Sequence, residues 1–180
     1  MATWVLLLRA VNLGATNKVS MPVLREQMAE AGFTDVRTYV QSGNIVASSK
    51  HRGEASVARD LHELIEEHFG VDTPVIVRTP AQIAAVLAKN PFPDEVAAAE
   101  KLVAAVFFAK PLPPAAAISE FAASVGEQVV VDGRELYIAY SRSVHESKLT
   151  PAAMRRRLGG MDGTARNWRT VTAVAALAAG

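Results

Sequence analysis

The sequence predicts an α+β fold made of two tandem βαββαβ lobes joined by a linking helix. Three observations predict it. The order strand, helix, strand, strand occurs twice; a glycine-bearing turn joins the paired strands each time; and a capping signal followed by a proline-rich stretch separates the two copies. The expected boundaries are 1–79 for the first lobe, 80–93 for the linking helix and 94–180 for the second lobe.

Residues 3–11 are a continuous apolar run, too short for a good helix and rich enough in Val and Leu for a buried strand. Ser20 then caps a helix: Met21, Leu24, Met28 and Ala31 follow at helical spacing, Pro22 sits in the first turn where its missing N–H is harmless, and Gly32 ends it. Residues 36–40 and 45–48 read as strands of a hairpin around Gln41-Ser42-Gly43-Asn44. Val57, Leu61, Leu64, Ile65 and Phe69 mark the buried stripe of a second helix that stops at Gly70, and residues 74–78 supply another strand.

Thr79-Pro80-Ala81-Gln82 combines a capping box with a proline at the first helical position, so the linking helix starts there and stops near Asn90-Pro91-Phe92-Pro93. Residues 102–109 then form a strand and 114–124 a helix. Residues 128–131 and 135–140 form a hairpin about Asp132-Gly133, a strong turn signal. Thr150-Pro151 starts a helix that ends at Gly159-Gly160, a short strand lies near 163–166, and Asn167 caps the final helix.

Composition sets the chemistry that is open to this chain. Half of the 180 residues are hydrophobic and 21% are charged, which is globular composition. The absence of cysteine excludes disulfides, thiolate nucleophiles and cysteine metal sites, and suits a reducing compartment. The opening apolar run lacks a basic leader and stops at Arg9, so it reads as a strand and not as a signal peptide. No uncharged apolar stretch approaches the ~20 residues that span a bilayer. The expected location is cytoplasmic, with no membrane partner. Net charge is +1, but from Lys148 to the end six basic residues stand against one acid, Asp162, while the rest of the chain has thirteen basic residues against seventeen acidic ones. That asymmetry favours an anionic partner near residues 148–169, and Arg155-Arg156-Arg157 alone reads more simply as a solvated helix face.

In an antiparallel ferredoxin-like arrangement the first and second strands run the same way, so the loop after strand one and the following hairpin emerge at one edge. Arg9, Asn12, Asn17 and Lys18 should thereby meet Gln41, Ser42 and Asn44. In the second lobe the loop 141–148, which carries Lys148, and the segment Arg166-Asn167-Trp168 share the opposite edge. Each leads into a helix N-terminus, where free N–H groups and a partial positive charge suit phosphate or carboxylate.

The strings Arg9-Ala-Val-Asn-Leu-Gly-Ala-Thr-Asn-Lys-Val19, Gly32-Phe-Thr-Asp-Val-Arg-Thr-Tyr-Val-Gln-Ser-Gly-Asn44, Ser147-Lys-Leu-Thr150 and Arg166-Asn-Trp-Arg-Thr-Val171 closely resemble a widespread bacterial family. It is catalogued as domain of unknown function "sixteen ninety-seven". The resemblance implies a two-lobed α+β fold and no established activity. The family pattern carries glycine where this chain has Ala10 and Ala15, and lysine where it has Ala173.

Gly14-Ala-Thr-Asn-Lys18 lies between a strand and a helix but is not a Walker loop, because Asn17 stands where that loop needs a second glycine. Lys18 can still offer charge and Asn17 a donor, while Asn12 and Asn17 also suit loop closure by bonding backbone groups. Arg166 offers a bidentate fork for carboxylate or phosphate, and Asn167 is a good cap. His51, His62, His68 and His145 form no pair spaced for a metal, and the sequence assigns no cofactor, no metal and no oligomeric state. A conventional RNA-binding face would need aromatics in its first and third strands; here they read Val5-Leu-Leu-Leu-Arg9 and Ile45-Val-Ala-Ser48.

The leading expectation is a protein that binds a small anionic or nucleotide-like ligand in a polar, basic cleft between the lobes. Its ligand-binding residues would be Arg9, Asn12, Asn17, Lys18, Gln41, Ser42, Asn44, Lys148, Arg166 and Asn167. The alternatives are nucleic-acid binding through the basic C-terminal region, and an enzyme acting on a phosphorylated or amide substrate with His145 or a bound metal.

Overall fold

The computed structural model describes residues 1–180 and has an α+β architecture of two four-stranded antiparallel sheets and seven helices. Its contacts divide the chain into two units. One comprises residues 1–85 with 173–180, the other residues 86–172, so that the division runs through the third and the last helices.

In the first unit, β1 (Ala2–Leu8) is followed by α1 (Met21–Glu30), β2 (Thr34–Tyr39), β3 (Asn44–Ser49), α2 (Glu54–Phe69), β4 (Val75–Arg78) and α3 (Pro80–Ala88). The sheet order is β2-β3-β1-β4, with Leu6 opposite Ile45 and Val77 in neighbouring strands. Trp4, Leu6 and Leu8 alternate onto the face that packs with Leu24 and Met28 of α1 and with Val57, Leu61 and Ile65 of α2. Val5 and Leu7 point the other way and are also buried, which is why β1 reads as an unbroken apolar run. Glycine ends α2: Gly70 adopts φ 64° and donates its N–H to Glu66 O. β2 is an edge strand, and a register shift between Thr34 and Arg37 accompanies the left-handed Asp35.

The second unit contains α4 (Pro93–Ala99), a 3₁₀ turn at Glu100–Leu102, β5 (Val103–Phe107), α5 (Ala116–Ser124), β6 (Gln128–Asp132), β7 (Glu135–Ala139), α6 (Pro151–Arg157), β8 (Thr164–Asn167) and the start of α7 (Trp168–Ala179). Its sheet repeats the order of the first, β6-β7-β5-β8. Ala104, Val106, Leu136 and Ile138 face a core shared with Ile118, Leu149, Met154 and Leu158. Gly163 lets β8 enter closely, since a Cβ there would lie 2.7 Å from Phe108 Cζ.

The capping box at the start of α3 is reciprocal: Gln82 N–H donates to Thr79 Oγ1 at 3.1 Å and Thr79 N–H to Gln82 Oε1 at 2.7 Å. Ser20 occupies the N-cap of α1 without a side-chain bond, because Pro22 removes one of the N–H groups such a cap would serve. α4 is an element that the sequence reading passed over. Pro93 read as a stop, yet proline with Asp94 and Glu95 behind it is also the signature of a first turn. No helix is long and apolar enough to cross a membrane.

Candidate functional site

β1 runs antiparallel to β3 and β3 antiparallel to β2, so the end of β1 and the β2–β3 turn lie at one edge of the first sheet. They are joined there. Leu8 N–H donates to Gly43 O at 2.8 Å, and a Cβ at residue 43 would fall 2.5 Å from Leu8 Cβ and 3.0 Å from Val11 Cγ2, so only glycine fits that approach. Asn12 closes the rest. Its Nδ2 donates to Val19 O at 2.8 Å and to Gln41 O at 2.7 Å, while its Oδ1 accepts Val19 N–H at 2.9 Å. Asn12 N–H donates to Asn17 O, and Asn17 Nδ2 donates to Ala10 O at 3.2 Å.

This closure forces the backbone into costly conformations. Five non-glycine residues in the chain have φ in the left-handed region, and four of them (Ala10, Asn12, Asn17 and Val40) lie in these two bonded segments. Asparagine tolerates that region; alanine and above all a β-branched valine do not.

Each residue expected at this edge is therefore present there, in different roles. Lys18 is exposed and its ammonium makes no hydrogen bond or ion pair within the chain; Gln41 is also exposed. Asn44 is fully buried and donates through Nδ2 to Tyr39 O at 3.0 Å and to Ser42 Oγ at 2.9 Å, which pins the turn. The backbone of Arg9 is clasped by Thr73 of the segment before β4: Thr73 Oγ1 donates to Arg9 O at 2.7 Å and accepts Arg9 N–H at 3.2 Å.

In the second unit the ends of β7 and β8 flank the start of β5, where Ala139 pairs with Val103 and Asn167 with Ala104. Lys148 is exposed at the end of the loop 141–148. Asn167 caps α7, its Oδ1 accepting Thr170 N–H at 2.9 Å. Arg166 is 9% exposed, with Nη1 donating to Thr164 Oγ1 at 2.8 Å and to Ala165 O at 2.9 Å. Burial pulls its guanidinium down to about 10, which still leaves it charged at neutral pH. The neighbouring arginine run is largely committed to local structure. Arg155 Nε donates to Gly160 O beyond the helix end, and Arg157 lies 3.5 Å over the Phe121 ring while donating to Ala153 O.

Three buried polar residues carry weight that the sequence reading did not assign. Arg78 ends β4 with 1% exposure and Nη1 donating to Val77 O. Glu127 is 3% exposed; its Oε2 accepts Ser141 N–H at 2.6 Å, and its Oε1 is buried without a hydrogen-bonding partner. Tyr140 is pushed up to about 12 by burial first and by the Glu127 charge second. A charged residue at the end of an apolar strand, as in Val75-Ile-Val-Arg78, was the available signal for Arg78. Two of the four histidines make local contacts: His51 Nε2 lies 2.9 Å from Asp60 Oδ2 and His62 Nδ1 3.0 Å from Thr73 O. No group of three or more His, Asp and Glu side chains converges to hold a metal.

Two comparisons locate the chain among known proteins, and no curated protein matches it. Its fold is similar to that of the conserved bacterial protein SP0830 from Streptococcus pneumoniae, at a TM-score of 0.70 and 20% identity over 98% of each chain. A family model covers residues 1–137, which include both loops at the edge of the first sheet and stop short of the 147–150 and 166–171 strings. Matched over that span, the chain belongs to the family described as protein of unknown function (DUF1697).

Proposed function

We propose that this protein binds a small anionic or nucleotide-like ligand on the rim formed by the β1–α1 loop and the β2–β3 turn. One observation carries the reading: the non-glycine left-handed residues gather where two segments are bonded to each other, and such strain persists where the surroundings over-determine a site. Lys18 supplies the charge, and Asn17 and Gln41 supply amide groups beside it. Asn12, Ser42, Asn44 and the backbone of Arg9 hold the rim in shape, so that the ligand meets a preformed surface. The recurrence of one strand order in both sheets supports a ferredoxin-like reading of each unit, and the lack of cysteine supports a reducing, cytoplasmic setting.

A second reading has its own support. Arg142, Lys148, Arg156 and Arg169 are exposed in the second unit and make no ion pair or side-chain hydrogen bond, which suits a polyanion such as nucleic acid. Arg155, Arg157 and Arg166 bond groups of their own segment, so fewer cations serve this reading than the sequence count suggested.

A thermal-shift series of nucleotides, sugar phosphates and oligonucleotides separates the two. A ligand at a hundred times its Kd stabilises the fold by ~2.7 kcal/mol. Stabilisation by a small anion that Lys18→Ala weakens roughly tenfold supports the rim. Stabilisation by oligonucleotides alone, falling steeply with salt and unaffected by Lys18→Ala, supports the second reading and rejects the first.

A further inference from the structure

The loop after β7 is rooted at both ends and exposed between them. Tyr140 and Leu149 sit in the core of the second unit and Ser147 is buried, whereas residues 141–146 are all exposed. The middle of this strap bonds mainly to itself: Glu146 N–H donates to Ser143 O, Ser147 N–H to Val144 O and His145 N–H to Ser143 Oγ. Its first residue is tied to the body through Glu127, whose Oε2 takes the Ser141 amide.

Glu127 is the unusual partner in that tie. A carboxylate that is 3% exposed should have both oxygens hydrogen-bonded, yet Oε1 accepts nothing from the protein. The Tyr140 phenol stands close enough for the Glu127 charge to help raise its pKa to about 12. The strap that starts at this tie carries Arg142 and Lys148, both exposed and without ion pairs, with Glu146 as its one acid. A buried acceptor therefore anchors the first residue of a strap with a net positive charge.

We propose that Glu127, Tyr140 and the strap form a second binding site for a small zwitterion of the amino-acid type. The ligand's amine donates to Glu127 Oε1, and its acid group pairs with Lys148 or Arg142. Because Oε1 is enclosed, the strap lifts to admit the ligand, and Ser141 N–H reports the event. A simple cation would meet the strap's positive charge, and a simple anion would meet Glu127; a molecule carrying both groups satisfies the two at once.

The test uses the full-length chain and a series of ω-amino acids of increasing spacer length, with propionate and propylamine as one-ended controls. The expected result is that one spacer length raises the melting temperature and shifts the Ser141 amide resonance at millimolar concentration, while neither control does. Glu127→Gln should weaken that binding roughly tenfold or more, and Lys148→Ala or Arg142→Ala should weaken it for the acid half. Without ligand, Glu127→Gln should melt at or above the wild-type temperature, since it removes a buried charge with an unmade bond. Should that variant fail to fold, the wild-type series and the exposed-residue variant Lys148→Ala decide the matter. The proposal is overturned if no member of the series moves the Ser141 amide, as for an oxygen occupied by structural water alone. It is equally overturned if propylamine binds as well as the amino acids, or if Glu127→Gln binds like wild type.

Discussion

Asn12 Nδ2 donates to Gln41 O at 2.7 Å, joining two segments 29 residues apart with a side chain that also bonds both backbone groups of Val19. The amide thus closes its own loop and fastens that loop to the neighbouring turn. Asn12 does this at φ 56°, a conformation asparagine tolerates better than any other residue except glycine.

Replacing it should separate shape from binding. Asn12→Ala loses three hydrogen bonds and keeps the unfavourable φ, so a destabilisation of about 2–3 kcal/mol is expected in urea denaturation. Asn12→Gly relieves the backbone but not the bonds, and should fall between the two proteins. Hydrogen exchange at Val19 N–H should quicken in both variants. An unchanged midpoint for Asn12→Ala would mean that the loop closes without this side chain.

Ala10 presents the opposite case. It holds φ 52°, and alanine in that region costs ~1–2 kcal/mol. Ala10→Gly relieves the strain while adding freedom to the unfolded chain, for a net gain of about 0.5–1 kcal/mol. A rise in melting temperature is the expected outcome. A fall would show that the loop relaxes the strain elsewhere in solution.

Tyr140 links the fold to alkaline pH. Its folded pKa of about 12 exceeds the ordinary value of 10.0, so the folded state holds the phenolic proton more tightly than the unfolded chain. The resulting stability is fully present below pH 10 and is lost as pH rises toward 12. Tyr140→Phe should flatten this decline, and phenolate absorbance should show one fewer late-titrating group. A wild-type stability that does not fall between pH 10 and 12 would contradict the burial assigned to this ring.

Much of this fold was legible because its signals are local. Period and punctuation mark the strands and helices, and the Thr79–Gln82 and Thr150–Pro151 caps form as their residue types require. The convergence of Asn12 with Gln41 was legible through topology, since an antiparallel order places both loops at one edge. α4 escaped because Pro93 carries the same letter for stopping and starting a helix. Arg166 and Glu127 show a different limit. Whether a charged side chain faces solvent or lies beneath a strand depends on the phase of that strand against its neighbours, which a four-residue segment such as Thr164–Asn167 does not fix. Phe121 of the helix read at 114–124 is half-buried, with Arg157 as its cover.

Lys18 and Arg166, both expected as ligand contacts, should now part company. Lys18 is exposed and unbonded, so Lys18→Ala should change stability by no more than ~0.5 kcal/mol while weakening an anion bound at the rim. Arg166 is buried in β8 and bonds Thr164 Oγ1 and Ala165 O, and its removal leaves those groups to find new partners inside the protein. Arg166→Ala should therefore destabilise by roughly 2–4 kcal/mol, with Arg166→Lys recovering part of the loss because an ammonium cannot reproduce the planar fork. Urea denaturation of the three variants without ligand is the direct measurement. If Arg166→Ala instead leaves the midpoint unchanged and abolishes binding of an anion, the guanidinium serves a ligand, and its inward hydrogen bonds add little to the fold.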